Sequence, residues 1–229
     1  MSGASVKVKI CGIKEEATID GMKGLPVDYI GFVFAKSKRQ VAPERAAELL
    51  AASRRTPMAG GVPPKTVGVF VNPTLAELER VLAAVKLDVV QLHGEETPEF
   101  ARQAAERLGV KVWRALPVPG KGAIAGGSAL AGPARLAAYR GIAEAILIDT
   151  AGGGTGKTFR WDVIPRYRAA AAANGLALFV AGGLSPDNVD SLVGQYAPGG
   201  VDISSGVETD GVKDIAKIAA FAEKVRRHS

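Results

Sequence analysis

Cysteine is nearly absent from this chain of 229 residues: Cys11 is the only one, and there are just two histidines. A lone cysteine excludes an intrachain disulfide. When buried it is usually a small hydrophobe, and only its reactivity makes it functional. No apolar run approaches the roughly 20 residues that span a bilayer. The first residues, Met1-Ser2-Gly3-Ala4-Ser5, lack the charged region and apolar stretch of an export signal. The expectation is a cytoplasmic protein with no membrane partner. Aromatic residues make up only 6% and the basic residues are scattered, which argues against a nucleic-acid partner. The net charge of +6 then reads either as a solvated basic surface or as attraction for a small anionic substrate. The densest basic cluster, Lys224-Val225-Arg226-Arg227, suits the C-terminal end of a helix.

Short β-branched runs alternate with longer, alanine-rich amphipathic segments. Periodicity predicts strands near 6–10, 29–34, 66–70, 88–92, 110–115, 145–149, 177–181 and 201–204. Helices are predicted at roughly 14–23, 43–54, 74–86, 97–108, 133–140, 162–174, 186–194 and 212–226. Pro43-Glu44, Thr97-Pro98-Glu99 and Ser185-Pro186 read as helix starts. Eight strand–helix units call for parallel strands and close naturally into a single (β/α)8 TIM barrel over 1–229, with a doubly wound open sheet as the alternative. No linker divides the chain, and the Gly/Ala/Pro-rich stretch 117–133 reads as a long surface loop.

Barrel chemistry sits at the C-terminal ends of the strands. Those ends carry Cys11, Arg39, Asn72, Gln91, His93, Arg114, Asp149 and Asp202. A thiol and an acid on two strand ends, Cys11 and Asp149, suggest a base and an acid facing one pocket. Gly182-Gly183 follows the seventh predicted strand and Ser204-Ser205-Gly206 the eighth, where barrels place a phosphate site. Two tight turns would be the plainer reading of these glycines. His93, Gln91 and Asp202 either shape the site or hold loops. The run 151–158 resembles a relaxed P-loop, but Phe159-Arg160-Trp161 follows where a helix should begin. A mobile glycine-rich lid with Lys157 near the substrate fits better.

Taken in order, Lys9-Ile10-Cys11-Gly12-Ile13, Gly31-Phe32-Val33-Phe34 with Ser37-Lys38-Arg39, Val67-Gly68-Val69-Phe70-Val71-Asn72 and Val90-Gln91-Leu92-His93-Gly94-Glu95-Glu96 form one series. Ile148-Asp149-Thr150, Gly156-Lys157-Thr158-Phe159, Ala181-Gly182-Gly183-Leu184 and Val201-Asp202-Ile203-Ser204-Ser205-Gly206-Val207-Glu208 continue it. Together they resemble the phosphoribosylanthranilate isomerases of tryptophan biosynthesis. The resemblance implies a cofactor-free Amadori rearrangement of N-(5-phosphoribosyl)anthranilate by general acid–base catalysis, with no metal expected; the oligomeric state is open between monomer and homodimer. The resemblance also implies Cys11 as general base, Asp149 as general acid and Arg39 on the anthranilate carboxylate. Gly182, Gly183, Ser204, Ser205 and Gly206 would hold the phosphate of this small-molecule substrate.

Each catalytic role sets a requirement. A thiol with a pKa of about 8.5 is only a few per cent ionised at pH 7, so nearby cations are expected to help Cys11. An ordinary aspartate (about 3.9) is protonated roughly once per thousand at pH 7, so an acid at Asp149 calls for burial or a neighbouring anion. The competing readings are the sister phosphoribosyl-formimino isomerase of histidine biosynthesis and a non-catalytic phosphosugar-binding barrel. The first resembles a two-fold repeat with an aspartate where Cys11 stands. The second would have no need of the acid–base pair.

Overall fold

Eight strands pair in parallel, each with the next in sequence: β1 (Lys7–Cys11), β2 (Tyr29–Val33), β3 (Lys65–Phe70), β4 (Val89–Leu92), β5 (Lys111–Val118), β6 (Ala145–Thr150), β7 (Ala177–Val180) and β8 (Gly200–Ile203). Strand β8 returns to β1 with Lys9 opposite Asp202, so the sheet closes and the open-sheet alternative is excluded. The computed structural model describes residues 5–118, 132–150 and 158–228. Helices α1 (Glu16–Gly21), α2 (Pro43–Arg55), α3 (Leu75–Ala84), α4 (Pro98–Leu108), α5 (Ile164–Ala173) and α6 (Val189–Tyr196) lie in the crossovers, and α7 (Ile215–Arg226) follows β8. None of the described helices is long and apolar enough to cross a membrane.

The period of two in each strand sorts side chains between two cores. Outward residues such as Val8, Ile10, Val90, Leu92, Ile146 and Ile148 pack under the helices. Inward residues form a separate plug of Val67, Val89, Trp113, Leu147 and Phe179, with Tyr29 partly buried against it. The ring centroids of Trp113 and Phe179 lie 4.4 Å apart, and those of Tyr29 and Trp113 4.9 Å apart. This plug fills the barrel axis below the catalytic ends, leaving only the last inward residue or two of each strand to face a ligand.

Local signals place most helix starts. Pro43 opens α2, Thr97 accepts the Phe100 N–H at 3.1 Å, and Thr74 with Glu77 forms a capping box at α3. Three expectations need correction. Pro133–Tyr139 is a 3-10 helix, a short connector with a proline in its first turn. Helix α6 begins at Val189, not at Pro186. The Asn188 side chain accepts the Ser185 N–H and donates to the Gly183 carbonyl, both at 2.9 Å, which closes a turn where a cap was expected. The last helix starts at Ile215, because Val212–Lys213 (β10) pairs with Glu208–Thr209 (β9) in a two-residue hairpin. Asp210 and Gly211 both have positive φ (52° and 81°), the signature that Asp-Gly supplies. Of the long loop expected at 117–133, residues 117 and 118 belong to β5, Pro133 opens the 3-10 helix, and residues 119–131 lie outside those described.

Candidate active site

A cavity of about 410 Å³ opens at the C-terminal ends of the strands. Every described candidate lines it: Cys11, Arg39, Gln91, His93, Asp149, Gly182, Gly183, Asp202, Ser204, Ser205 and Gly206. Lys157 and the P-loop-like segment 151–157 lie outside the described residues. Arg114, grouped with the rim by sequence, faces elsewhere. It is fully buried and donates to the Leu92 and Gly94 carbonyls, to Glu96 and to the Tyr139 hydroxyl. The strand runs four residues beyond it, so Arg114 clamps the turn carrying His93 instead of meeting ligand.

On β4 and the turn after it, Gln91 and His93 point inward two residues apart. The Gln91 amide donates to His93 Nδ1 at 2.9 Å, which leaves the proton on Nε2, and Nε2 lies 3.3 Å from Asp149 Oδ2. One oxygen of Asp149 is thereby oriented by the imidazole. The other, Oδ1, is buried and has no hydrogen-bond partner among the described residues. Gln91 Oε1 and Asp202 Oδ1 are in the same condition. Three buried acceptors turned to one cavity suit a ligand rich in hydroxyl or N–H donors.

Cys11 ends β1, buried beside Gly31 of β2. A methyl group at Gly31 would come within 2.9 Å of its sulfur, so the glycine makes room for the thiol. Burial pushes the thiol up from its ordinary value. Lys9 opposes that rise, Asp202 adds to it and Lys213 opposes it. The cations expected near Cys11 are present, but desolvation outweighs them.

Arg39 is neither solvated nor freely available. Its Nε and Nη2 donate to the two oxygens of Glu208 at 2.6 and 2.8 Å. Lys213 donates to the same carboxylate at 2.9 Å and to the Ser204 carbonyl at 2.8 Å. Burial pushes the Glu208 carboxyl up, but Arg39 and Lys213 outweigh it and hold its pKa at about 2, against an ordinary 4.5. The Nη1 edge of Arg39 stays open to a second carboxylate. A depressed carboxyl stabilises the fold above its unfolded pKa, and that contribution disappears as pH falls through the folded value. Thermal unfolding from pH 5 to 2 should therefore show a loss of stability in wild type that is flattened in Glu208→Gln. Parallel curves would remove Glu208 from the acid response.

Gly182 and Gly183 both adopt positive φ, 85° and 64°, which lets this loop turn back beside the one at Ser204–Gly206. A methyl group on Gly206 would sit 1.9 Å from the Leu184 carbonyl oxygen, so the two loops touch through that glycine. In Gly206→Ala the loops must separate. Binding of inorganic phosphate is expected to weaken at least tenfold, about 1.4 kcal/mol, and calorimetric titration measures it. Unchanged affinity would separate the loops from anion binding. Among the described residues no group of three His, Cys, Asp or Glu is placed to hold a metal.

Lys9, Glu208 and Lys213 went unassigned in the sequence. Lys9 had a visible signal, since it shares the inward face of β1 with Cys11. The Asp210-Gly211 turn could have brought Lys213 back to Glu208.

Known proteins resemble this chain along its whole length in sequence and fold. The family described as N-(5'-phosphoribosyl)anthranilate (PRA) isomerase matches residues 8–224. The N-(5'-phosphoribosyl)anthranilate isomerase of Brevibacillus brevis is 50% identical over 226 residues, covering 97% of this chain and 94% of its own. Crystallised monomers of the dimeric phosphoribosylanthranilate isomerase from Thermotoga maritima superpose with a TM-score of 0.75 at 36% identity, covering 97% of this chain and 99% of that one. A phosphoribosylanthranilate isomerase solved with reduced 1-(o-carboxyphenylamino)-1-deoxyribulose 5-phosphate superposes with a TM-score of 0.73 at 34% identity and the same coverage. With full-length matches in sequence and in fold, this chain belongs to the N-(5'-phosphoribosyl)anthranilate isomerase family.

Proposed function

We propose that the protein converts N-(5-phosphoribosyl)anthranilate to 1-(2-carboxyphenylamino)-1-deoxyribulose 5-phosphate in tryptophan biosynthesis. This aldose–ketose isomerisation needs no cofactor in our reading, and Cys11 acts as base and Asp149 as acid. The observation that carries it is the convergence of both groups, from β1 and β6, on one cavity with Arg39 and the two glycine-bearing loops. The ligand is a phosphorylated small molecule, neither nucleic acid nor lipid, and the barrel works as a single domain, alone or as a homodimer.

The steps follow from the groups present. Asp149 delivers a proton from Oδ1 to the ribose ring oxygen; the C1–O bond breaks and the anilino lone pair forms the C1=N iminium. That cation acidifies the C2 proton and, by its charge, favours the thiolate beside it. Cys11 removes the proton, and the electron pair gives the C1=C2 enol. The C2 hydroxyl then gives up its proton to Asp149 while C1 takes one from Cys11, which restores both groups and leaves the ketone. His93, itself oriented by Gln91, aims Asp149. Asp202 Oδ1 and Gln91 Oε1 accept from substrate hydroxyls, and the open edge of Arg39 grips the anthranilate carboxylate. The phosphate rests on Gly182, Gly183, Ser204, Ser205 and Gly206.

Anthranilate fluorescence provides the test, with phosphoribosylanthranilate generated in situ. Rapid decay with wild type is expected, with the 1-deoxyribulose product recovered. Absence of turnover by folded protein would overturn the reading.

A further inference from the structure

Lys9 is a fully buried lysine in the barrel interior, with its ammonium 2.9 Å from Asp202 Oδ2. Neither the fold nor the reaction steps above require it. A buried ion pair seldom stabilises a protein relative to apolar residues of the same volume, because two desolvation penalties oppose one attraction. The neighbouring inward positions are filled by such apolar residues. The pair sits where its charge is felt by one group above all. Lys9 lies two residues before Cys11 on the same face of β1, and Asp202 faces it across the β1–β8 seam.

We propose that the Lys9–Asp202 pair is a positioning device that sets the acidity of the Cys11 thiol. Lys9 supplies the cation that stabilises the thiolate, and Asp202 holds that cation in place while tempering its field. This rests on the reading of Cys11 as the base. The ammonium is anchored by Asp202, so it stands beside the sulfur at a fixed position, which a solvated lysine on a flexible stem could not maintain. Three other features bear on the same thiol. Lys213 approaches from β10, anchored to Glu208 and Ser204. Arg39 approaches from the loop after β2, anchored to Glu208. Gly31 of β2 adds no charge. Lys9 is the one cation among them whose carboxylate partner also faces the cavity, with Oδ1 unpaired among the described residues. A donor from the substrate on Oδ1 draws charge away from Lys9. The counter-anion is then weaker in the complex, and the thiolate is favoured when substrate is bound.

Because Cys11 is the only cysteine, the pH dependence of its alkylation by iodoacetamide titrates this thiol alone, with no turnover required. An opposite charge at close range moves a pKa by about one to three units. Lys9→Met should therefore raise the alkylation pKa by at least about one unit, a tenfold smaller thiolate fraction at a given pH. Asp202→Asn should lower it by a similar amount, and Lys9→Met/Asp202→Asn should lie between the single variants. In turnover, Lys9→Met should lose kcat near neutrality, with KM little changed, and recover it as pH rises.

Should Lys9→Met fail to fold around an unpaired carboxylate, Asp202→Asn and the double variant still decide the matter. Equal alkylation pKa values in wild type, Asp202→Asn and the double variant would overturn the proposal. Full turnover by Cys11→Ser would instead sink the base assignment, and the alkylation shifts would stand apart from that failure.

Discussion

Cys11→Ser is expected to lower kcat about 10²- to 10⁴-fold while KM stays within about threefold. The substitution keeps the size of the side chain and the Ser204 hydroxyl bond to the Cys11 carbonyl at 3.0 Å, so the β1 end should not move. It replaces a thiol by a hydroxyl whose proton is several units harder to remove. Arg39 and the phosphate loops are untouched, so binding should survive. The pH profile gives a second test. Burial holds the thiol above its ordinary value, so kcat/KM, which reports the free enzyme, should keep rising into the alkaline range as the thiolate forms. That limb should be missing from Cys11→Ser. Initial rates by anthranilate fluorescence across pH 6 to 10 measure both. A serine variant within tenfold of wild type would remove the thiol from proton transfer.

Asp149→Asn should cost a comparable factor, about 10²- to 10⁴-fold in kcat, for the complementary reason. The asparagine oxygen can still accept from His93 Nε2, so the contact at 3.3 Å and the site's shape should persist. What is lost is a transferable proton facing the cavity, and without it the ribose ring oxygen leaves as an unprotonated alkoxide. Substrate affinity should change little, since the side chain that pairs with Asp149 among the described residues, His93, keeps an acceptor in asparagine. The decisive comparison is the double variant Cys11→Ser/Asp149→Asn. If the two groups serve consecutive steps, its loss should fall well short of the product of the single losses, as residues acting as a unit are non-additive. Wild-type kcat in Asp149→Asn would move the acid role to another group.

Much of this site was legible because a parallel barrel puts chemistry at predictable sequence positions. An apolar run of four to six residues marks each strand, and the residue closing it on the inward face meets the cavity. Cys11, Gln91, Asp149 and Asp202 could be found that way, and the glycines after β7 and β8 by their turn chemistry. Arg114 shows where the rule breaks. Strand β5 extends to Val118, so a residue placed at its rim lies mid-strand on the outward face. Ser185-Pro186 read as a helix cap because capping and turn formation use the same side chains, and only the position of Asn188 decides between them.

The sequence alone determined the alternation that closes the barrel, the inward and outward sorting of each strand, and the presence of a thiol, an acid and two phosphate-type loops on one rim. Those features depend on local periods of two and 3.6 and on turn residues, which nearby chain positions specify. Only the tertiary structure decided which charges meet. Lys9 joins Asp202 across 193 residues and Arg39 joins Glu208 across 169. The balance between burial and cations at Cys11 was likewise settled there. Electrostatic pairing falls off with distance in space and depends on desolvation, and neither quantity is carried by separation along the chain.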